Sequence, residues 1–125
     1  DGTAVATTVT TKLIEFTRDT SLAAGNQAVT GVGFQPSAAF FFALQDGIRE
    51  VSWGFADNAK AGAGVCTYFS PADSFSAANT ISDYESAGNN CHATVNSWDV
   101  DGVTMAWTKT GAPTGTLLIK TLFFK

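Results

Sequence analysis

The sequence predicts an all-β fold, an antiparallel β-sandwich of about eight short strands, and three observations carry that prediction. Runs rich in Thr, Val, Phe, Trp and Ile recur along the whole chain of 125 residues. Breakers with a definite turn chemistry separate them, and no segment shows the periodicity of an amphipathic helix. The strand-like runs are Val9 to Arg18, Gln27 to Val32, Ala38 to Leu44, Arg49 to Ala56, Gly64 to Phe69, Cys91 to Trp98, Val103 to Lys109 and Thr116 to Phe124. Between them lie Ala24-Gly25-Asn26, Gln35-Pro36-Ser37, Gln45-Asp46-Gly47, Asp101-Gly102 and Thr110-Gly111-Ala112-Pro113.

Taken in order, residues 1–8 are small and polar without periodicity and read as a short extended N-terminal arm, leaving 9–125 as one sandwich domain. Alternation is clearest in the seventh run, where Val103, Met105 and Trp107 share one face and Thr104 and Thr108 the other, so one side is core and the other wet. Gly102 stands where a tight turn enters that strand. Ala38 to Leu44 and Leu117 to Phe124 show no clean alternation, which predicts strands covered on both faces, by the opposite sheet and by a neighbouring subunit. Ser70 to Asn90 is the least regular stretch. A loop that long is uncommon in a compact domain, so a short strand is expected near Thr80 to Tyr84.

Composition limits the function classes. A chain this size buries about two-thirds of the surface its unfolded form exposes, enough for a core. Only 14% of residues are charged, which leaves a lightly charged surface suited to packing against neighbours. The net charge of −4 and the scatter of the seven basic residues argue against a nucleic-acid partner. No apolar run approaches the roughly 20 residues of a membrane-spanning helix. The chain opens at Asp1 without methionine, which reads as a processed start. Cys66 and Cys91 allow one disulfide, with two buried thiols as the alternative, and their spacing matches no metal-binding signature.

The residues that catalysis needs are scarce. The one histidine, His92, adjoins Cys91, but neighbours on a strand point to opposite faces, so those two cannot form a dyad; a pairing with Cys66 stays open. Asp99 and Asp101 lie two apart, yet a calcium site takes six to eight oxygens, and the fragment reads instead as a hairpin turn with a solvated flank. Asp73, Asp83 and Glu85 fall on the irregular stretch. Gly54, Gly62 and Gly64 form no phosphate-cradling order. Trp53, Phe55, Tyr68, Trp98 and Trp107 could build a sugar-stacking or partner-binding surface, with core packing the stronger expectation for a domain that needs large side chains inside. The chain is therefore expected to have no enzymatic activity, cofactor or resident metal.

The order of motifs resembles small structural proteins of tailed bacteriophages. Gly25-Asn26-Gln27-Ala28-Val29-Thr30-Gly31-Val32-Gly33-Phe34-Gln35-Pro36-Ser37-Ala38 is similar to the opening motif of that family, and Ala39 to Leu44 supplies the apolar run that follows it. Trp53-Gly54-Phe55-Ala56-Asp57 and Asp101-Gly102-Val103-Thr104-Met105-Ala106-Trp107-Thr108 resemble its later segments, and Thr116 to Phe124 its closing strand. The resemblance implies a virion structural protein. It points first to a capsid decoration or cement protein on the outer head, with a tail or tail-fibre module as the alternative. The implied partners are copies of itself, trimers among the symmetric options, and a major capsid or tail protein. The domain also resembles H-type lectin sandwiches, which implies a secreted or extracellular carbohydrate-binding alternative with surface glycans as partners. Val103 and the bulky Lys120 to Phe124 end depart from the pattern, and no sugar-binding residue is carried over. Gly31 and Gly33 are read as positions of unusual backbone geometry, Pro36 as a fixed turn, and Phe34, Trp53, Trp98 and Trp107 as fold-making or interface residues.

Overall fold

Burial alternates residue by residue along the long strands, and that alternation builds a two-layer antiparallel sandwich. The computed structural model describes residues 2, 4, 8–48, 50–59, 63–69 and 72–125, with the side chains of 63–69 and 72–75 outside the description. Most of the expected arm, and Arg49, lie outside the described residues. The strands are β1 (Thr11–Asp19), β2 (Gly25–Val29), β3 (Ala38–Gln45), β4 (Glu50–Asp57), β5 (Ala63–Phe69), β6 (Ala72–Ser76), β7 (Ile81–Ser86), β8 (Asn89–Asp99), β9 (Gly102–Thr110) and β10 (Thr116–Phe124). One sheet runs β1-β10-β3-β4-β5-β6 and the other β2-β9-β8-β7. Among the described residues no helix is long and apolar enough to cross a membrane.

The sandwich is as expected, and among the described residues it has ten strands against the eight or so read from the sequence. The difference lies in Ser70 to Asn90, where the expected strand near Thr80 appears as β7 and a further strand, β6, forms the sheet edge. The sequence of β6, Ala-Asp-Ser-Phe-Ser, has little β propensity, and it is a strand because β5 offers it a full antiparallel register from Val65 to Phe69.

The core lies between the sheets. From the large sheet come Ala39, Phe41 and Ala43 of β3 and Leu117, Ile119 and Phe123 of β10, with Phe41 and Phe123 meeting edge to face at 6.4 Å. From the small sheet come Val29, Ile81, Cys91, Ala93, Val103, Met105 and Trp107. The inward positions of β4 are Glu50, Ser52, Gly54 and Ala56, mostly small, so the edge strand β7 packs close against it. Val103, Met105 and Trp107 face inward and Thr104 and Thr108 outward, as the alternation in the sequence predicts.

β3 and β10 each lay one face on the opposite sheet, as expected. Within the chain each is covered on one face only: Ala39, Phe41, Ala43 and Gln45 are buried while Phe40, Phe42 and Leu44 are exposed. β10 alternates likewise, with Lys120 and Leu122 outward. The runs look unpatterned because their exposed faces are largely apolar and β10 buries Thr121 while exposing Lys120.

Candidate functional site

Three places concentrate chemistry or unusual surface: a clasp between two loops, a buried acidic pair, and the open face of the large sheet.

The clasp explains the glycine-rich motif. Gly31 and Gly33 take φ of +87° and +84°, conformations that side chains disfavour, and this turns successive N–H groups toward one point. The Asp101 carboxylate accepts from Gly31 N–H at 3.0 Å and from Gly33 N–H at 2.6 Å, while the Asp101 carbonyl accepts from Val32 N–H at 3.2 Å. Those donated bonds hold the Asp101 carboxyl below the ordinary aspartate range. Phe34 then packs against the core and Pro36, two residues before β3, is buried. Asp101 is thus a tether for the β2–β3 connection as well as a turn residue. The turn itself is Val100-Asp101, since Asp99 pairs with Gly102. Asp99 is half-buried and accepts from Ser97 Oγ at 2.8 Å and Thr104 Oγ1 at 2.7 Å, which corrects its reading as a solvated flank. A lowered carboxyl stabilises the fold above its unfolded pKa, near 4, and loses that contribution as pH falls through the folded one. Asp101→Ala is therefore expected to lower the thermal midpoint at pH 7 and to differ less and less from the native chain as pH drops below about 4, measured by circular dichroism melts.

The acidic pair sits between β4 and β7. Glu50 and Asp83 are both buried, and the Tyr84 N–H donates to both Glu50 carboxylate oxygens at 2.6 Å. Neither Asp83 oxygen has a hydrogen-bond partner among the described residues. Burial pushes Glu50 up to about 8, against the pull of the Tyr84 N–H and with the Asp83 charge adding, and pushes Asp83 up to about 6 with Glu85 adding. Cys91, the register partner of Asp83, is a free buried thiol pushed up to about 11, first by burial and then by Asp83. Such a thiol is a poor nucleophile. Cys66 belongs to β5 of the other sheet, and its side chain is outside the description. His92 points away from Cys91, with Nδ1 at 3.0 Å from Ser82 Oγ, and burial lowers its pKa. Ser82 is buried, so this contact ties the β7 edge to β8 and presents no open nucleophile. Among the described residues no group of three or more His, Cys, Asp and Glu could hold a metal ion.

The open face of the large sheet is the most unusual surface. Leu13, Phe40, Phe42, Leu44, Trp53, Phe55 and Leu122 stand on it with exposures from 37% to 59%. Register places them in rows across the strands. Leu13, Leu122, Phe40 and Phe55 are successive partners on β1, β10, β3 and β4; Glu15, Lys120, Phe42 and Trp53 form the next row. Phe42 and Trp53 stack at 6.3 Å with planes 10° apart, and Phe40 and Phe55 lie 6.2 Å apart. Beside Phe40 and Phe55 the face opens into an apolar hollow of about 310 Å³, also lined by Ala38, Ala56 and Phe124. On this face Glu15 of the edge strand β1 pairs with Lys120 at 3.3 Å, and Asp57 also lines the hollow. The outer face of the small sheet carries Thr94, Ser97, Thr104 and Thr108 instead.

The tryptophans therefore divide. Trp107 is core with the Arg18 guanidinium 5.2 Å from its ring centre, Trp98 is half-buried against the core, and Trp53 is exposed. Their division needs the register, which shows that Trp53 is on the outward set of β4 and Trp107 on the inward set of β9. Tyr68 has its side chain outside the description. The buried pair Glu50 and Asp83 carries no local signal in the sequence, because the two lie 33 positions apart. No family model matches this chain, and no curated protein or solved structure does.

Proposed function

We propose that this domain is a structural component of a tailed-phage virion, a decoration protein that stabilises the head through protein contacts. The observation that carries the reading is the open face of β10, β3 and β4. Monomeric proteins rarely leave contiguous apolar patches beyond a few hundred Å² in water, and a larger one marks an interaction site. The resemblance of Gly25 to Ala38 and of Asp101 to Thr108 to phage structural proteins supplies the virion setting. A surface with few charges outside the patch favours packing among neighbours over steering of a charged ligand.

Immunogold labelling of particles with antibody against the chain tests this reading. Label over the head shell in many copies is the expected result; label confined to the tail replaces decoration with a tail or fibre role, and unlabelled particles overturn the reading. The lectin-like alternative has one feature in its favour, the exposed Trp53 ring, and it requires glycan-array binding that Trp53→Ala removes.

A further inference from the structure

We infer that the open face of β10, β3 and β4 binds a second copy of this chain, sheet face to sheet face, about a two-fold axis lying between the two molecules. The inference rests on the reading that this face is where the domain works, and it names the occupant.

Area is the first argument. The seven exposed side chains present roughly 600 Å² of apolar surface between them, taking each large side chain at about 150 to 250 Å² in full. That exceeds or equals the largest patch of a typical monomer and approaches the ~800 Å² per partner of a standard stable interface. An apolar content like this is what permanent interfaces carry, because a partner met only occasionally would leave the face in water.

Shape is the second. The rows containing Phe40 with Phe55 and Phe42 with Trp53 run across the strands, and same-face neighbours along a strand are about 7 Å apart. The rows therefore make two ridges with a furrow between them, and the hollow beside Phe40 and Phe55 ends one ridge. Ridges and furrow of one molecule meet those of an identical one after a two-fold rotation, as an isologous contact requires.

Charge is the third. Glu15 and Lys120 neutralise each other on the face and Asp57 stands at the hollow on its rim, so the aromatic rows of two copies meet with few charges between them, although each chain carries a net charge of −4. A phosphate-bearing partner would need free cations, and a glycan would need hydrogen-bonding groups around the ring of Trp53. Among the described side chains its flanking residues on this face are Phe42, Val51 and Phe55, and on the other side its register partner is Cys66 of β5.

Sedimentation velocity and light scattering of the whole chain at micromolar concentrations test the inference. The native protein is expected at twice the 13.0 kDa chain mass. Phe42→Glu is expected to weaken the dimer by roughly 100-fold or more, since each substitution enters the interface twice. Thr108→Glu, on the polar outer face of the small sheet, should leave the dimer intact, and unchanged far-ultraviolet circular dichroism shows that both variants fold. Should Phe42→Glu fail to fold, Trp53→Ser takes its place. A native protein that stays monomeric at 100 µM, or a dimer indifferent to both face variants, overturns the inference. Monomers that still label virion heads, with labelling lost in Phe42→Glu, would give the face to a shell protein and leave the virion reading standing. A dimer that labels no particle would do the reverse.

Discussion

Alanine at Gly102 is expected to destabilise the domain by about 3 to 5 kcal/mol, among the largest effects of a single methyl group. Gly102 opens β9 at φ +152°, and a Cβ there would lie 1.9 Å from the Val29 carbonyl oxygen and 3.0 Å from its carbon. Both obstacles are backbone. Val29 pairs with Val103 and is itself core, so the end of β2 cannot retreat without drawing Val29 out and pulling Gly31 and Gly33 from the Asp101 carboxylate. Gly31→Ala provides the comparison. It shares an unfavourable φ, +87°, but a Cβ there meets nothing within 4 Å, so it should cost only the conformational penalty of about 1 to 2 kcal/mol. Urea unfolding of both variants with unchanged m values checks the ranking. Equal effects would mean that conformation, and not the approach of Val29, is what glycine serves at 102.

The Asp-Gly pair was legible in the sequence as a turn signal, yet the reason for its glycine was not, because Val29 is brought there only by the pairing of β2 with β9. The same division runs through the fold. β9 could be read outright, since its two faces meet different solvents, core on one side and water on the other. β3 could be recognised as a strand, but its orientation could not. Its exposed set, Phe40, Phe42 and Leu44, is bulkier than its buried set, Ala39, Phe41 and Ala43, so hydrophobicity alone would turn the strand over. What decides is room: the inward side of β3 packs against a small sheet already filled by Trp107, Met105 and Ile81. The apolar face that carries the functional proposal was therefore present in the sequence as a run without a pattern, and became a surface only through the register with β4 and β10.

Raising the pH from 5 to 9 is expected to weaken the sandwich by several kcal/mol, and Glu50→Gln to abolish most of that loss, because a shift of one unit is worth about 1.4 kcal/mol. The cause is the edge of the small sheet that faces β4. β7 is an edge strand, and two of its N–H groups are taken up by side chains of β4 from the opposite sheet: Ser82 N–H donates to Ser52 Oγ at 3.0 Å, and Tyr84 N–H to Glu50. Side-chain acceptors blunt an edge that would otherwise offer itself to another chain. Using a carboxylate for this places Glu50 in the interior beside Asp83, whose oxygens have no hydrogen-bond partner among the described residues. Both carboxyls hold their protons to higher pH in the fold than in the unfolded chain, near 8 for Glu50 and near 6 for Asp83. Their contribution is thus complete below the unfolded values near 4, declines as pH rises through about 6 and then 8, and is gone above. Glutamine at 50 keeps an oxygen for Tyr84 N–H and cannot ionise, so the variant should melt at nearly one temperature from pH 7 to 9, while Asp83→Asn should flatten the profile mainly below pH 7. A native chain whose midpoint held steady or rose from pH 5 to 9 would show that Glu50 and Asp83 are solvated in the fold, and would remove the account of why a buried glutamate guards this edge.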